Sequence, residues 1–139
     1  MYGVLDICTS ALVAQRTNLD VIAGNIAMKD VTRDDSGRSA PYRRRVALLA
    51  PGDPSRPGGG PGVHVATIAE DPAPLPLRYD PGHPDAIPSG KDQGYVRVSN
   101  VDYHTEMVNA LAAARAYEAN ITVMEMAKSM AASTLRLIA

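Results

Sequence analysis

At 139 residues the chain has room for one modest core, and 14 Lys and Arg nearly cancel 15 Asp and Glu, for a formal charge of −1. That balance argues against a basic nucleic-acid-binding face, and an aromatic content of 4%, with no Trp and no Phe, is thin for a compact globular core. The single cysteine, Cys8, excludes an internal disulfide and any cysteine-built zinc site, and no apolar run reaches membrane-spanning length.

The N-terminus shows no basic n-region, continuous apolar h-region or small-residue cleavage site, so the reading is a soluble chain made without a secretory signal. Residues 5–27 read as a helix. Leu5, Cys8, Leu12, Gln15, Leu19, Ile22 and Ile26 alternate steps of three and four, with Gln15 the only polar member. This is the a/d spacing of a coiled-coil seam, and Gly24 weakens the helix late on. The plainer alternative is an ordinary amphipathic helix packed on its own domain.

From 28 to 40 the pattern gives way to polar and turn-forming residues, with Asp34, Asp35, Ser36 and Gly37 as the clearest turn. Residues 41–49 (PYRRRVALL) suggest a short strand with a basic start, and the three arginines read as a solvated edge rather than a phosphate site. The run PGDPSRPGGGPG at 51–62 suits neither helix nor strand, and its glycines lack the Gly-Lys-Ser/Thr ending of a phosphate loop. Residues 63–68 alternate like a strand, so a small hairpin with 46–49 is expected. The proline-dominated stretch 71–92 is expected to run extended, without regular structure.

Residues 100–139 contain no glycine and no proline, although the chain carries 11 of each. Asp102 suits an N-cap, Glu106 favours the positive end of the helix dipole, and a helix to Leu137 would run roughly 50 Å. Apolar positions recur through Ala110, Ala114, Tyr117, Ile121, Met124, Ala127, Ala131 and Leu135, with a second stripe through Val108, Leu111, Val123 and Met130. So broad an apolar face on so long a helix exceeds what the rest of the chain can cover.

No catalytic constellation converges. Asp80, His83 and Asp85 in DPGHPD could supply metal ligands, but two prolines and a glycine make a turn the simpler reading. Asp102, His104 and Glu106 are spaced two apart, which turns His104 away from the others on a helix. No GxSxG or HExxH is present, and the sequon at Asn120-Ile121-Thr122 falls mid-helix.

Several strings occur together in a recognisable order: SALVAQRTNLDVIAGNIA (10–27), PYRRR (41–45), YDPGHPDA (79–86), GYVRVSNVD (94–102) and EMVNALAAARAYEAN (106–120). In this the chain resembles bacterial flagellar basal-body rod proteins of the proximal-rod FlgC type, over essentially its full length. Asn25, Ile26 and Ala27 match the N-terminal motif; Asn100 to Asp102, Glu106, Met107, residues 115–120 and residues 128–130 match the C-terminal one. Met28 replaces a usual Asn, Ser99 a usual Pro, and the insertion at 51–62 is peculiar to this chain.

The resemblance implies a non-enzymatic structural subunit of the proximal rod, with no cofactor, metal or catalytic residue. It implies export through the flagellar type III apparatus without a cleaved signal, and assembly in the periplasmic part of the basal body. The implied partners are sister rod subunits, copies of itself, and base adaptor and export-gate components, with no nucleic acid and no direct membrane insertion. A free coiled-coil regulator or export chaperone is the alternative. The expected fold is mainly α: residues 1–30 and 100–139 pair as an antiparallel coiled coil, and 31–99 form an extended, Pro/Gly-rich region with a small β-hairpin. The expected subunit contacts are Leu5, Leu12, Leu19, Ile22, Asn25 and Ile26 on the first helix. On the second they are Met107, Leu111, Arg115, Tyr117, Asn120, Ile121, Met124, Lys128, Met130 and Leu135.

Overall fold

The computed structural model describes residues 2–34, 36–52 and 60–138. Helix α1 spans Tyr2–Met28, strands β1 Arg45–Pro51 and β2 Val63–Glu70 follow, then β3 Leu77–Tyr79, β4 Tyr95–Arg97 and helix α2 Tyr103–Ile138. Neither helix contains proline, and α2 starts where Asp102 caps it. The Asp102 carboxylate accepts the Thr105 backbone N–H at 3.0 Å and the Thr105 hydroxyl at 2.5 Å.

The helices lie side by side and run in opposite directions. The end of α1 at Asn25 meets the start of α2 at Glu106, and Gln15 faces Ala116 across a shared cleft. Along α2 the covered positions include Glu106, Ala110, Ala113, Tyr117, Asn120, Met124, Ala127 and Ala131, whereas Ala132 to Arg136 are all exposed. The two helices hold 27 and 36 residues, so α2 overhangs α1 by roughly 13 Å at about 1.5 Å per residue.

β1 and β2 form a two-stranded antiparallel sheet with a register shift between Leu48 and Leu49, and both strands pack on α1. Its far end is pinned to the helix where Ser10 Oγ accepts the Val63 N–H at 3.1 Å. The approach there needs a glycine: Gly62 sits at φ +141°, and a Cβ would lie 2.8 Å from Ser10 Oγ. The insertion falls largely on residues 53–59, outside the described residues, as does Asp35 of the predicted turn. The rest of that turn is held by Asp34, whose Oδ1 accepts the N–H groups of Ser36 and Arg38.

The expectation of a mainly α chain, with the terminal helices as an antiparallel coiled coil and one hairpin between them, is corrected. Helix occupies under half of the chain, and there are two antiparallel sheets, β1–β2 and β3–β4. The second arises inside and beside the stretch expected to lack regular structure. Leu77, Arg78 and Tyr79 stand between prolines, already extended, and pair with Arg97, Val96 and Tyr95. The Tyr79 and Tyr95 rings meet edge to face at 5.2 Å, and Val96 beneath is buried. Nor is α1 one half of an isolated helix pair, because the β1–β2 sheet covers it as well. Its deepest residues accordingly include Ala14 and Asn25, which lie off the heptad seam, while Leu5, Leu12 and Leu19 on the seam are only half-buried.

A polar cluster joins these parts. The buried Asn25 carboxamide donates to the Arg45 carbonyl and to Glu106 Oε2, each at 2.8 Å. Its oxygen accepts the Arg45 N–H at 2.9 Å and the Tyr42 hydroxyl at 3.0 Å, so its full hydrogen-bonding capacity is used. Glu106, completely buried, takes Arg44 Nε and Nη2 on Oε1, both at 2.8 Å. Arg44 reaches on to Asp71, and its N–H is held by Asn100 Oδ1 at 2.8 Å.

Because both oxygens of Glu106 face donors, Glu106→Gln turns one acceptor into an NH2 set against another donor. The expected loss is about 3–5 kcal/mol, the range for breaking a buried pair, read as a lower urea midpoint for the purified chain; a change under about 1 kcal/mol would show that the cluster does not hold the fold. Three aspartates make the fold sensitive to acid. Asp71 is held below its ordinary 3.8 by the Ala73 N–H and then Arg44, Asp85 by the Thr32 hydroxyl and then Arg33, and Asp102 by the Thr105 hydroxyl and N–H. Lowered folded values mean stability that is complete above 3.8 and lost as pH falls through them. Unfolding midpoints should therefore hold from pH 7 to about 5 and drop below 4, with Asp85→Asn shallower than wild type in that acid limb.

Candidate assembly surface

Large apolar side chains that neither helix nor sheet covers define the surface. On α2 these are Met107, Val108 and Leu111 near the start, then Ile121, Val123 and Met126, then Met130 and Leu135; Leu111 is 60% exposed and Leu135 68%. On α1 they are Val4, Ile7, Val13 and, at its end, Met28. Large apolar side chains left exposed in this number mark a place where another protein sits.

The residues expected from sequence at subunit contacts divide into three groups. Met107, Leu111, Ile121, Met130 and Leu135 are exposed, as are Lys128 and Arg115. Leu5, Leu12, Leu19, Ile26, Tyr117, Asn120 and Met124 are half-buried, along the lines where the helices and sheet meet. Ile22 and Asn25 are buried inside the chain, Asn25 within the polar cluster. Arg115 pairs with Glu118 at 2.9 Å on the exposed side of α2, and the Asn120 amide turns back to the Ala116 carbonyl. The sequence reading passed over Val13 and Met126; their exposure follows from the side of each helix that the sheet and the partner helix cover.

The turn at 80–86 has a structural task. The Asp85 carboxylate accepts the Thr32 hydroxyl at 2.8 Å and Arg33 Nε at 2.7 Å, and the Asp85 N–H donates to His83 Nδ1 at 3.1 Å. The groups that could have held a metal thus tie the segment after α1 to the second sheet. Gly94 closes that sheet at φ +79°, with space for a Cβ limited by Tyr79 at 3.0 Å. Ser99 is buried and its hydroxyl accepts the Val101 N–H at 3.3 Å, setting the entry to α2. Met28, the other departure from the motif, is exposed at the end of α1.

Between α1, β1 and α2 lies an open cleft of about 410 Å³, lined by Gln15, Asn18, Val21, Ile22, Arg44 to Ala47, Glu106, Asn109, Ala112, Ala113 and Ala116. No group of three or more His, Cys, Asp or Glu side chains among the described residues is placed to hold a metal, and none of the described helices is long and apolar enough to cross a membrane.

A family model described as flagellar basal body rod FlgEFG protein C-terminal matches residues 92–137, which run from the end of the β3–β4 turn through nearly all of α2. The flagellar basal-body rod protein FlgC of Borreliella burgdorferi is 41% identical, over 99% of this chain and 97% of its own length. Those of Salmonella typhimurium (41%, over 99% and 97%) and Bacillus subtilis (39%, over 96% and 95%) are similar in the same way. The chain belongs to the FlgC family of flagellar basal-body rod proteins. It is a structural rod subunit of the flagellar basal body and not an enzyme.

In this family setting, the exposed pair on α2 separates folding from assembly. Arg115→Ala removes a surface ion pair, 74% and 63% exposed on its two sides. It should change the stability of the isolated chain by no more than about 0.5 kcal/mol. Recovery of subunit in purified basal bodies should nonetheless fall, whereas unchanged recovery would leave Arg115 a solvated side chain.

Proposed function

We propose that the chain polymerises with sister rod proteins and with copies of itself into the proximal rod of the flagellum. The observation that carries this is the row of large apolar side chains that α2 leaves exposed, from Val108 and Leu111 to Met130 and Leu135. Burying such side chains contributes roughly 1.5–3 kcal/mol each, enough for a few of them to drive association. The terminal segments 1–30 and 100–139 act as the assembly module, and residues 31–99 brace it and reach sideways. The subunit contacts are Leu5, Leu12, Leu19 and Ile26 at the edges of the helix pair, with Met107, Leu111, Arg115, Tyr117, Ile121, Met124, Lys128, Met130 and Leu135 along α2. Asn25, Ile22 and Asn120 support them from within.

Export through the flagellar type III apparatus without a cleaved signal, and assembly in the periplasmic part of the basal body beside the base adaptor and export gate, complete this reading. The support is family membership together with a surface unsuited to a free monomer. The deciding experiment is fractionation: the chain should co-purify with detergent-resistant basal bodies. Recovery only as a free cytosolic oligomer would overturn the reading in favour of a regulator.

Two consequences follow for the surface residues. Leu111→Asp places a charge on an already exposed position, so the monomer should melt within about 3 °C of wild type. Incorporation into basal bodies should be lost, because an unpaired charge buried in an apolar contact costs several kcal/mol; normal motility would count against the surface. The overhanging turn of α2 from Ala132 to Arg136 has no cover in the monomer and should exchange amide protons quickly, then become protected in the rod. Equal protection in both states would remove the overhang from the interface.

A further inference from the structure

The face of the β3–β4 sheet opposite Val96 is uncovered. Leu77 stands across from Arg97 and Tyr79 across from Tyr95, so the four side chains share one face. All four are exposed, Tyr79 to 66%. Among the described residues this sheet packs against neither helix nor the β1–β2 sheet. Two strands alone are marginal in water, and tyrosine and arginine are residues that commonly anchor a protein contact.

The face is also positively charged. Arg97 forms no ion pair among the described residues, and Asp85, across an adjacent cleft from it, is already held by Thr32 and Arg33. Leu77 and Arg97 wall an open cleft of about 300 Å³ together with Arg43, Leu75 and Asp92. Arg43 donates to the Asp71 and Ala73 carbonyls and pairs with no carboxylate among the described residues, so two guanidinium groups face the single acid Asp92. Such an arrangement accepts a carboxylate that arrives beside an apolar side chain.

Resting on the rod-subunit reading, we infer that this face receives α2 of a second copy of the chain, with Glu125 of that copy on Arg97 and its Ile121 on the tyrosine pair. α2 carries three acids. Glu106 is buried, Glu118 pairs with Arg115, and Glu125 is exposed, with no ion pair among the described residues, Lys128 included. Glu125 stands beside the exposed Ile121, Val123 and Met126, an acid set within the apolar row of the assembly surface.

The spacing agrees. Ile121 and Glu125 are one helical turn apart, about 6 Å between Cβ atoms. On the sheet, the Leu77–Arg97 pair lies two residues, about 7 Å, from the tyrosine pair. The contact needs a neighbour, because Glu125 lies roughly 33 Å along α2 from Tyr103, while β4 ends ahead of that helix and does not touch it. Sheet face and helix face are unlike surfaces of one chain, so the contact runs head to tail and continues from copy to copy in an open helical array.

The test exchanges the charges in the full chain, with wild-type incorporation into basal bodies as the control. Arg97→Glu and Glu125→Arg are each expected to melt within about 3 °C of wild type as purified protein and to incorporate at least tenfold less. Arg97→Lys keeps the charge and is expected to incorporate. The double variant, Arg97→Glu with Glu125→Arg, restores the pair with its sign reversed and is expected to recover most of the loss. The inference is overturned if either single exchange incorporates like wild type. It is equally overturned if the double variant does no better than the single ones, which would hand Arg97 to an acid of a different protein. A single variant that melts markedly lower also overturns it, since that side chain would be spent within its own chain. Absence of the wild-type chain from basal bodies would instead sink the rod reading itself.

Discussion

One carboxamide, that of Asn25, fixes how the two ends of the chain meet the middle. Its oxygen and nitrogen bracket the Arg45 peptide as a neighbouring strand would, while the same nitrogen reaches Glu106 on α2. Hydrogen bonds are directional, and a buried amide that uses all four of its positions tolerates few alternative arrangements. Rotation of α1 by one residue would turn Asn25 away from β1 and take its amide from the Arg45 N–H, the Arg45 C=O and Glu106 Oε2. The register of α1 against both β1 and α2 is set at that point, and the Glu106–Arg44–Asp71 chain extends the constraint to the start of the proline-rich segment.

This way of fixing the arrangement suits a chain with little apolar core. The buried hydrophobic residues among those described are Cys8, Ala14, Ile22, Val96, Val101, Ala113 and Ala127, three of them alanines. Small side chains let α1 and α2 approach closely but contribute little burial energy. The larger apolar residues of α2 are directed outward. Had they been turned inward, the helix pair would have been more stable alone and would have offered a partner less.

The sequence made the helices legible because proline and glycine are absent from 100–139 and apolar spacing continues through 5–26. Periodicity could not say which of two neighbouring stripes faces inward. The covered line runs through Glu106, Ala113 and Asn120, one step round the helix from the apolar line through Ala114 and Ile121. Glu106 read as a charge favouring a helix dipole because nothing local announces Arg44, 62 positions earlier, as its partner. The β3–β4 sheet escaped for a similar reason. Three residues between prolines carry almost no strand signal of their own, and the pairing with Tyr95–Arg97 is a tertiary event.

Asn25 illustrates the difference between recognising a residue and understanding it. The motif resemblance picked it out as a contact between subunits, whereas its side chain is spent entirely within the chain. By setting the rotation of α1, it decides where Val4, Ile7 and Val13 stand, and by holding Glu106 it decides which face of α2 remains open. A buried polar group that is fully paired in this way specifies the fold of one subunit.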